Sequence, residues 1–214
     1  MSQTFFPVVA SNWTAADVVR HWGPIPLHRI CMDPLPGTAN EDDLIRLHDR
    51  NNRIYELVSA ALVEKDMGTY EAYLATRLAF YLGLYLEQKS LGIILGADGM
   101  LRLKTGLVRV PDVSFISKQR MQGINLASQP IADVIPNLVV EIVSQGNTSI
   151  EMDRKLNEYF EHGVDLVWYI YPQTKSAIVF ISPTDFEVLS ESGVLNGKDV
   201  LPGFALRLET LFQS

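Results

Sequence analysis

The most apolar stretch of the chain is LVVEIV, residues 138–143. An unbroken run of this kind is typical of a strand that is buried on both faces of a sheet. Glu141 interrupts it, and an unpaired carboxylate in such a place loses several kcal/mol of solvation. We therefore expect Glu141 to be protonated, paired with a cation such as Arg154, or used as a metal ligand or catalytic acid/base.

Helix and strand patterns alternate on both sides of this stretch. Thr148-x-x-Glu151 forms a capping box at the start of a helix that Gly163 ends. Before it, the sequence predicts a hairpin over residues 54–63, a long helix from about 67 to 91, and strands near 93–95, 101–104 and 110–116. After it, strands are predicted at 166–170, 177–181 and 186–189. The pattern indicates an α/β fold with a mixed (α+β) sheet and helices packed on it.

The first fifty residues have a different character. Short helices are predicted around 14–22 and 40–50, and a stretch rich in proline and glycine separates them. The apolar segments here are too short for a separate core. We interpret residues 1–52 as an N-terminal helical and irregular extension, and residues 53–214 as the main domain.

Composition excludes several classes of protein. The chain has 214 residues and a formal charge of −7, which argues against a protein that coats nucleic acid non-specifically. Its single cysteine, Cys31, excludes an internal disulfide and a zinc site built from cysteines. Residues 1–13 lack the positive start of a signal peptide, and no apolar run reaches the length of a membrane span. We expect a cytoplasmic protein with no membrane partner.

Two further residues stand out beside Glu141. Asp112 opens the strand PDVSFI, residues 111–116, and alternation places Val113 and Phe115 on the face opposite to it. Alone it is equally well explained as a turn residue after proline. Lys155 lies at the flank of the apolar stripe of the later helix, where it could pair with Glu151 or reach over the sheet. Two carboxylates on neighbouring strands supply the oxygen ligands that Mg²⁺ or Mn²⁺ require.

Other signals are weaker or missing. Glu71 lies in the first turn of the long helix, where the helix dipole alone explains an acid. Glu56 and Glu64 lie on the hairpin and are explained as well by exposure to solvent. The four histidines are scattered, so a zinc hydrolase has no support. The chain also lacks a G-x-G-x-x-G motif, a phosphate-binding loop and a G-x-S-x-G elbow.

The order of Pro111–Asp112, Glu141 and Lys155 resembles that of restriction-endonuclease-like nucleases with the PD-(D/E)XK signature. More narrowly, the chain is similar to the Uma-type endonucleases of bacteria. The segments that carry this resemblance run from residue 53 to 212 and include YELV (55–58), LVEK (62–65) with Met67–Gly68, PDVSF (111–115), LVVEIVS (138–144), EMDRK (151–155), LVW (166–168) and DVLPGF (199–204). The superfamily lysine belongs two residues after the acid, where this chain has Val143, and Lys155 matches the helix lysine of the Uma-type pattern.

This resemblance implies a restriction-endonuclease-like core and hydrolysis of phosphodiester bonds with a divalent metal. Asp112, Glu141 and Lys155 would be the catalytic residues. Asp112 and Glu141, with Glu71 as an additional ligand, would hold Mg²⁺ or Mn²⁺. The implied substrate is nucleic acid, with DNA expected over RNA, and the chain could form a homodimer, since duplex cleavage needs two active sites.

Two alternatives remain open from the sequence. The missing lysine at Val143 and the acidic charge are also compatible with a catalytically silent fold that acts as a dimeric binding protein. A glycoside hydrolase would need only the carboxylates Asp112 and Glu141, but no cluster of sugar-stacking aromatic residues accompanies them.

Overall fold

The computed structural model describes residues 13–50 and 53–213. Its helices are α1 (Ala15–Trp22), α2 (Glu41–Arg50), α3 (Thr69–Lys89), α4 (Ser149–Glu161) and α5 (Leu208–Phe212). Its strands are β1 (Tyr55–Val58), β2 (Ala61–Glu64), β3 (Gly92–Leu95), β4 (Leu101–Lys104), β5 (Leu107–Arg109), β6 (Val113–Ser117), β7 (Leu138–Ile142), β8 (Leu166–Tyr171), β9 (Ser176–Phe180), β10 (Phe186–Leu189), β11 (Val194–Asn196) and β12 (Ala205–Arg207).

A mixed six-stranded sheet forms the centre of the molecule. Its strand order is β10-β9-β8-β7-β6-β3, and β7 and β8 run parallel while the other neighbours are antiparallel. The parallel step is connected by α4, as a β-α-β crossover requires. A second sheet has the order β2-β1-β5-β4, and β11 pairs with β12. The predicted fold class is therefore confirmed.

The two faces of the central sheet bury different layers. Leu138, Val140 and Ile142 of β7 pack into the core that contains α3 and α5. Val139 points the other way, into the core that contains α4 and residues of β1 and β2. Because side chains alternate along a strand, Glu141 shares the α4 face with Val139. The acid therefore lies between the sheet and a helix.

The local signals in the sequence correspond to the elements that form. Ser59 and Ala60 both have positive φ, 50° and 56°, as a tight two-residue hairpin turn requires. The Thr148 hydroxyl accepts a hydrogen bond from the backbone N–H of Glu151, and the Glu151 carboxylate accepts one from the backbone N–H of Thr148, so the predicted capping box is present. The sequence did not predict β5, a three-residue strand that follows the turn at Gly106.

Residues from the N-terminal segment contribute to the cores of the main fold. Val18 and Trp22 of α1 pack with residues of β1, β2 and α4. Leu44 and Leu47 of α2 pack with β1 and β5. The division at residue 52 stays a prediction, and part of the segment that it sets apart, residues 1–12, lies outside the described residues. Among the helices that the structure describes, none has the length and apolarity needed to cross a membrane.

Candidate active site

Asp112 and Glu141 lie side by side on neighbouring strands. The pairing of Val113 with Val140 in the β6–β7 ladder places Asp112 opposite Glu141, and the backbone N–H of Asp112 donates to the carbonyl of Val140 over 3.1 Å. Asp112 Oδ2 accepts a hydrogen bond of 2.5 Å from the backbone N–H of Ile142. Both carboxylates are buried, each with 4% of the residue exposed. The strand pairing thus brings together two acids that are 29 positions apart in sequence.

Glu141 receives its contacts from α4. Lys155 Nζ lies 3.1 Å from Glu141 Oε1, and the Tyr159 hydroxyl donates to the same oxygen over 2.5 Å. Lys155 and Tyr159 are one helical turn apart, so both face the sheet. Both contacts fall on Oε1, so the residues that the structure describes provide no hydrogen bond to Oε2.

Glu56 is the third buried acid of the site. Its Oε2 accepts from Arg109 over 2.7 Å, and its Oε1 accepts from the backbone N–H of Val110 over 3.1 Å. Lys155 Nζ is also 3.1 Å from Glu56 Oε1, so this ammonium bridges Glu56 and Glu141. Arg109 in turn donates to Glu158 of α4. Exposure to solvent, which the sequence left open as an explanation of Glu56, is excluded, because only 2% of the residue is exposed.

Asp112 has a lysine of its own. Lys65, directly after β2, places Nζ 2.8 Å from Asp112 Oδ1. The same ammonium donates to the carbonyl of Ala97 over 3.1 Å. Three acids (Glu56, Asp112 and Glu141) and three cations (Lys65, Arg109 and Lys155) therefore form a buried cluster, which we call the acid–lysine cluster. Glu158 adjoins it through Arg109.

The surroundings shift the pKa values of Glu56 and Glu141 in opposite directions. Burial raises the pKa of Glu56, but Lys155, Arg109 and the Val110 N–H outweigh burial and lower it to about 2. Burial also raises the pKa of Glu141, and the negative charges of Asp112 and Glu56 add to this, so Lys155 does not restore the ordinary value. Burial lowers the pKa of Lys155, but Glu141 and Glu56 more than reverse that effect and raise it. Of these two acids, Glu141 is therefore the one that more readily holds a proton.

The structure corrects the two simple explanations offered by the sequence. Arg154 does not pair with Glu141; its guanidinium lies 5.4 Å from the ring centre of Trp22. Lys155 does not pair with Glu151 either. Glu151 instead forms a two-pronged ion pair with Arg29, at 2.7 and 3.0 Å. Arg29 comes from the N-terminal segment, so sequence distance concealed it.

Comparisons with known proteins identify the family of this chain and a structure with a similar fold. The model of the family described as "Uma2: Putative restriction endonuclease" matches residues 41–209. The chain belongs to the Uma2 family. A crystal structure of "a putative nuclease belonging to DUF820" from Anabaena variabilis ATCC 29413 has a similar fold, with a TM-score of 0.70 at 15% identity, over 81% of this chain and 97% of that one. A comparison with curated proteins finds no match. Family and fold together support a nuclease-like role.

The sequence pointed to some residues of the candidate site and not to others. The sequence pattern indicates Asp112, Glu141 and Lys155 as candidates. The structure places Glu141 in contact with Lys155 and next to Asp112. Glu56 interrupts an apolar strand as Glu141 does, so the same reasoning could have found it. Tyr159 lies four residues after Lys155 and could have been read from helix spacing. Lys65 lies in the LVEK segment that carries the family resemblance, but its contact with Asp112 joins residues 47 positions apart, and only the tertiary structure shows it.

Glu71 stands apart from the acid–lysine cluster. It lies in the first turn of α3 with its carboxylate against Gly68, and none of the ion pairs found among the described residues connects it to Asp112 or Glu141. Its role as an additional metal ligand stays a prediction. Within residues 13–50 and 53–213, no three acidic, histidine or cysteine side chains converge to hold a metal ion.

The pair Asp112 and Glu141 fits a hard divalent cation by its donor chemistry. Mg²⁺ is usually bound through only one or two carboxylates, with water completing its shell. Glu141 Oε2 accepts no hydrogen bond from the described residues. Asp112 Oδ1 contacts the Lys65 ammonium. Val143, at the superfamily position of the lysine, packs as an apolar residue on the α4 face. Lysines from elsewhere in the chain therefore supply the positive charge here.

Proposed function

We propose that the protein is a nuclease that hydrolyses phosphodiester bonds with Mg²⁺ or Mn²⁺ held by Asp112 and Glu141. The observation that carries this proposal is the placement of these two buried carboxylates on adjacent strands, beside an ammonium group from the following helix. A divalent ion there would stabilise negative charge that develops on a phosphate. The proposed substrate is nucleic acid, with DNA favoured over RNA.

Each residue of the proposed site has a separate task. Asp112 is fixed by the backbone N–H of Ile142, so one of its oxygens has a constant position. Glu141 is the second ligand, and Tyr159 orients its carboxylate. Lys155 lies between Glu141 and Glu56, which keep it charged and hold it in place. Lys155 is the migrated active-site lysine of this proposal, and its charge offsets the phosphate.

Cleavage assays test this assignment directly. We would incubate the protein with plasmid DNA and with DNA and RNA oligonucleotides, in Mg²⁺, in Mn²⁺ and in EDTA. Asp112→Asn and Glu141→Gln should each reduce metal-dependent cleavage by at least about 100-fold, because even outer partners of a metal site contribute about 10- to 100-fold. Asp133→Asn and Glu187→Gln are matched controls, since both side chains are largely exposed. Cleavage that survives both site substitutions would contradict the assignment.

The catalytically silent fold is a second candidate, and one observation favours it. Each acid of the cluster already has a cationic partner from the protein, so none of the three needs a metal ion to offset its charge. Titration calorimetry with Mn²⁺ separates the candidates. Binding heat that Asp112→Asn abolishes supports the nuclease, whereas no heat at millimolar Mn²⁺ and no cleavage would favour a binding protein.

A further inference from the structure

The ion pair between Lys65 and Asp112 is held in place by its neighbours along the chain. Before it, the carbonyl of Glu64 accepts a hydrogen bond of 2.9 Å from the Arg29 side chain. After it, the Asp66 carboxylate accepts from the Ser144 hydroxyl and from the backbone N–H of Gly146. The backbone N–H of Lys65 itself donates to the carbonyl of Ile54 over 2.8 Å. The position of Lys65 is thus determined on both sides, and the ammonium is directed to Asp112 by the fold.

The cations of the cluster are not equivalent. Arg109 forms an ion pair with Glu56, and Lys155 forms ion pairs with Glu56 and Glu141. Glu56 therefore has two cationic partners. Lys65 is the single side-chain cation that contacts Asp112 among the described residues. With 5% of each of their side chains exposed, water screens the attraction between Lys65 and Asp112 only weakly.

An ammonium and a divalent ion would need the same place. The Lys65 Nζ atom lies 2.8 Å from Asp112 Oδ1, which is the oxygen not fixed by the backbone of β7. A divalent ion bound to that oxygen would lie within a few ångströms of the ammonium, where like charges repel strongly in a buried site. One of the two cations must leave for the other to bind.

We propose that Lys65 is a further active-site residue, the counter-ion that occupies the cation position at Asp112 and that a divalent ion displaces. This inference rests on the proposed function, because it concerns the same metal position. Lys65 is a positioning residue in this scheme: it holds the Asp112 carboxylate in place while no metal is bound. The cost of displacing Lys65 weakens the affinity of the site for metal.

The test is the dissociation constant for Mn²⁺, measured by titration calorimetry on the full chain. Lys65→Met and Lys65→Gln should bind Mn²⁺ about tenfold more tightly than the wild type, because the competing charge is gone. Lys65→Arg keeps the charge and should not gain affinity. Lys104→Met removes an exposed lysine and should bind like the wild type. Asp112→Asn added to Lys65→Met should abolish the gain.

A purely structural role for Lys65 predicts a different result. The variants would then lose thermal stability without any gain in Mn²⁺ affinity, and this outcome overturns the inference. Lys65→Gln, which can still donate to Asp112, provides the measurement if Lys65→Met does not fold. Equal Mn²⁺ affinity in all variants, together with metal-dependent cleavage by the wild type, overturns the role of Lys65 alone. No Mn²⁺ binding by any folded variant and no cleavage overturns the proposed function as well.

Discussion

Glu56 and Glu141 are the same residue type and both are buried, and yet their pKa values are shifted in opposite directions. Glu56 is bound by an arginine, a lysine and a backbone N–H, which together outweigh its burial. Glu141 shares Lys155 with Glu56 and lies beside the negative charge of Asp112, so the effect of burial prevails and its pKa is raised. At the scale of single residues, the number of donors around each carboxylate decides whether it stabilises the fold or costs stability.

This contrast predicts effects of different size from two matched substitutions in metal-free protein. Glu56→Gln should lower the free energy of unfolding at pH 7 by about 3–5 kcal/mol, because it breaks a buried ion pair. Glu141→Gln should change it by about 1 kcal/mol or less, since the wild-type carboxylate is poorly stabilised there. Urea denaturation of both variants in EDTA provides the measurement. Equal losses of unfolding free energy in the two variants would contradict the opposite pKa shifts of Glu56 and Glu141.

The same two variants should differ in their dependence on pH. The pKa of Glu56 is about 2 in the folded state against an ordinary value of 4.5, so its contribution is complete above pH 4.5 and is lost as the pH falls towards 2. The difference in the free energy of unfolding between the wild type and Glu56→Gln should therefore shrink as the pH falls from 4.5 towards 2. The pKa of Glu141 is raised, so wild-type stability falls as the pH rises above 4.5, and Glu141→Gln should gain relative to the wild type in that direction.

At the scale of elements, α4 combines its own cap with a long-range contact. Glu151 closes the capping box and also binds Arg29, which lies in a short turn 122 positions earlier. Arg29 reaches further, to the carbonyls of Glu64 and Gly146. One buried side chain therefore connects the start of α4, the end of β2 and the N-terminal segment, which are the elements that enclose the acid–lysine cluster.

Removal of this connection should destabilise the whole fold. Arg29→Met leaves Glu151 buried and without its cation, so we expect a loss of about 3–5 kcal/mol in the free energy of unfolding. Arg20→Met is the matched control, because the Arg20 side chain is 70% exposed and water screens its pair with Asp17. Thermal and urea denaturation would show the difference, and a loss as small as that of the control would contradict the connecting role.

At the scale of the whole molecule, the N-terminal segment and the main fold share cores. Trp22 is buried against α4 residues, and Leu44 and Leu47 cover the second sheet. A fragment of residues 53–214 would expose these surfaces and lose the Arg29 contacts. We expect it to show no cooperative thermal transition by circular dichroism, in contrast to the full chain. A fragment that melts cooperatively near the temperature of the full chain would establish residues 53–214 as an independent domain.

The predictable part of this protein was the part governed by short-range patterns. The apolar stretch at 138–143, the capping box at Thr148 and the bend at Ser59–Ala60 each have a local physical cause, and each formed as predicted. Glu141 could be identified because a charge inside an apolar strand is costly wherever that strand lies. β5 was missed because a strand of three residues carries too little periodicity to be recognised.

The amino-acid sequence by itself determined the fold class, the central strand and three members of the candidate site, Asp112, Glu141 and Lys155. Only the tertiary structure decided which charges meet: Lys155 binds Glu56 as well as Glu141, Lys65 binds Asp112, and Arg29 binds Glu151. The physical reason is the range of the interactions. Strand and helix patterns act over a few residues, whereas a buried ion pair depends on elements that fold together from distant parts of the chain.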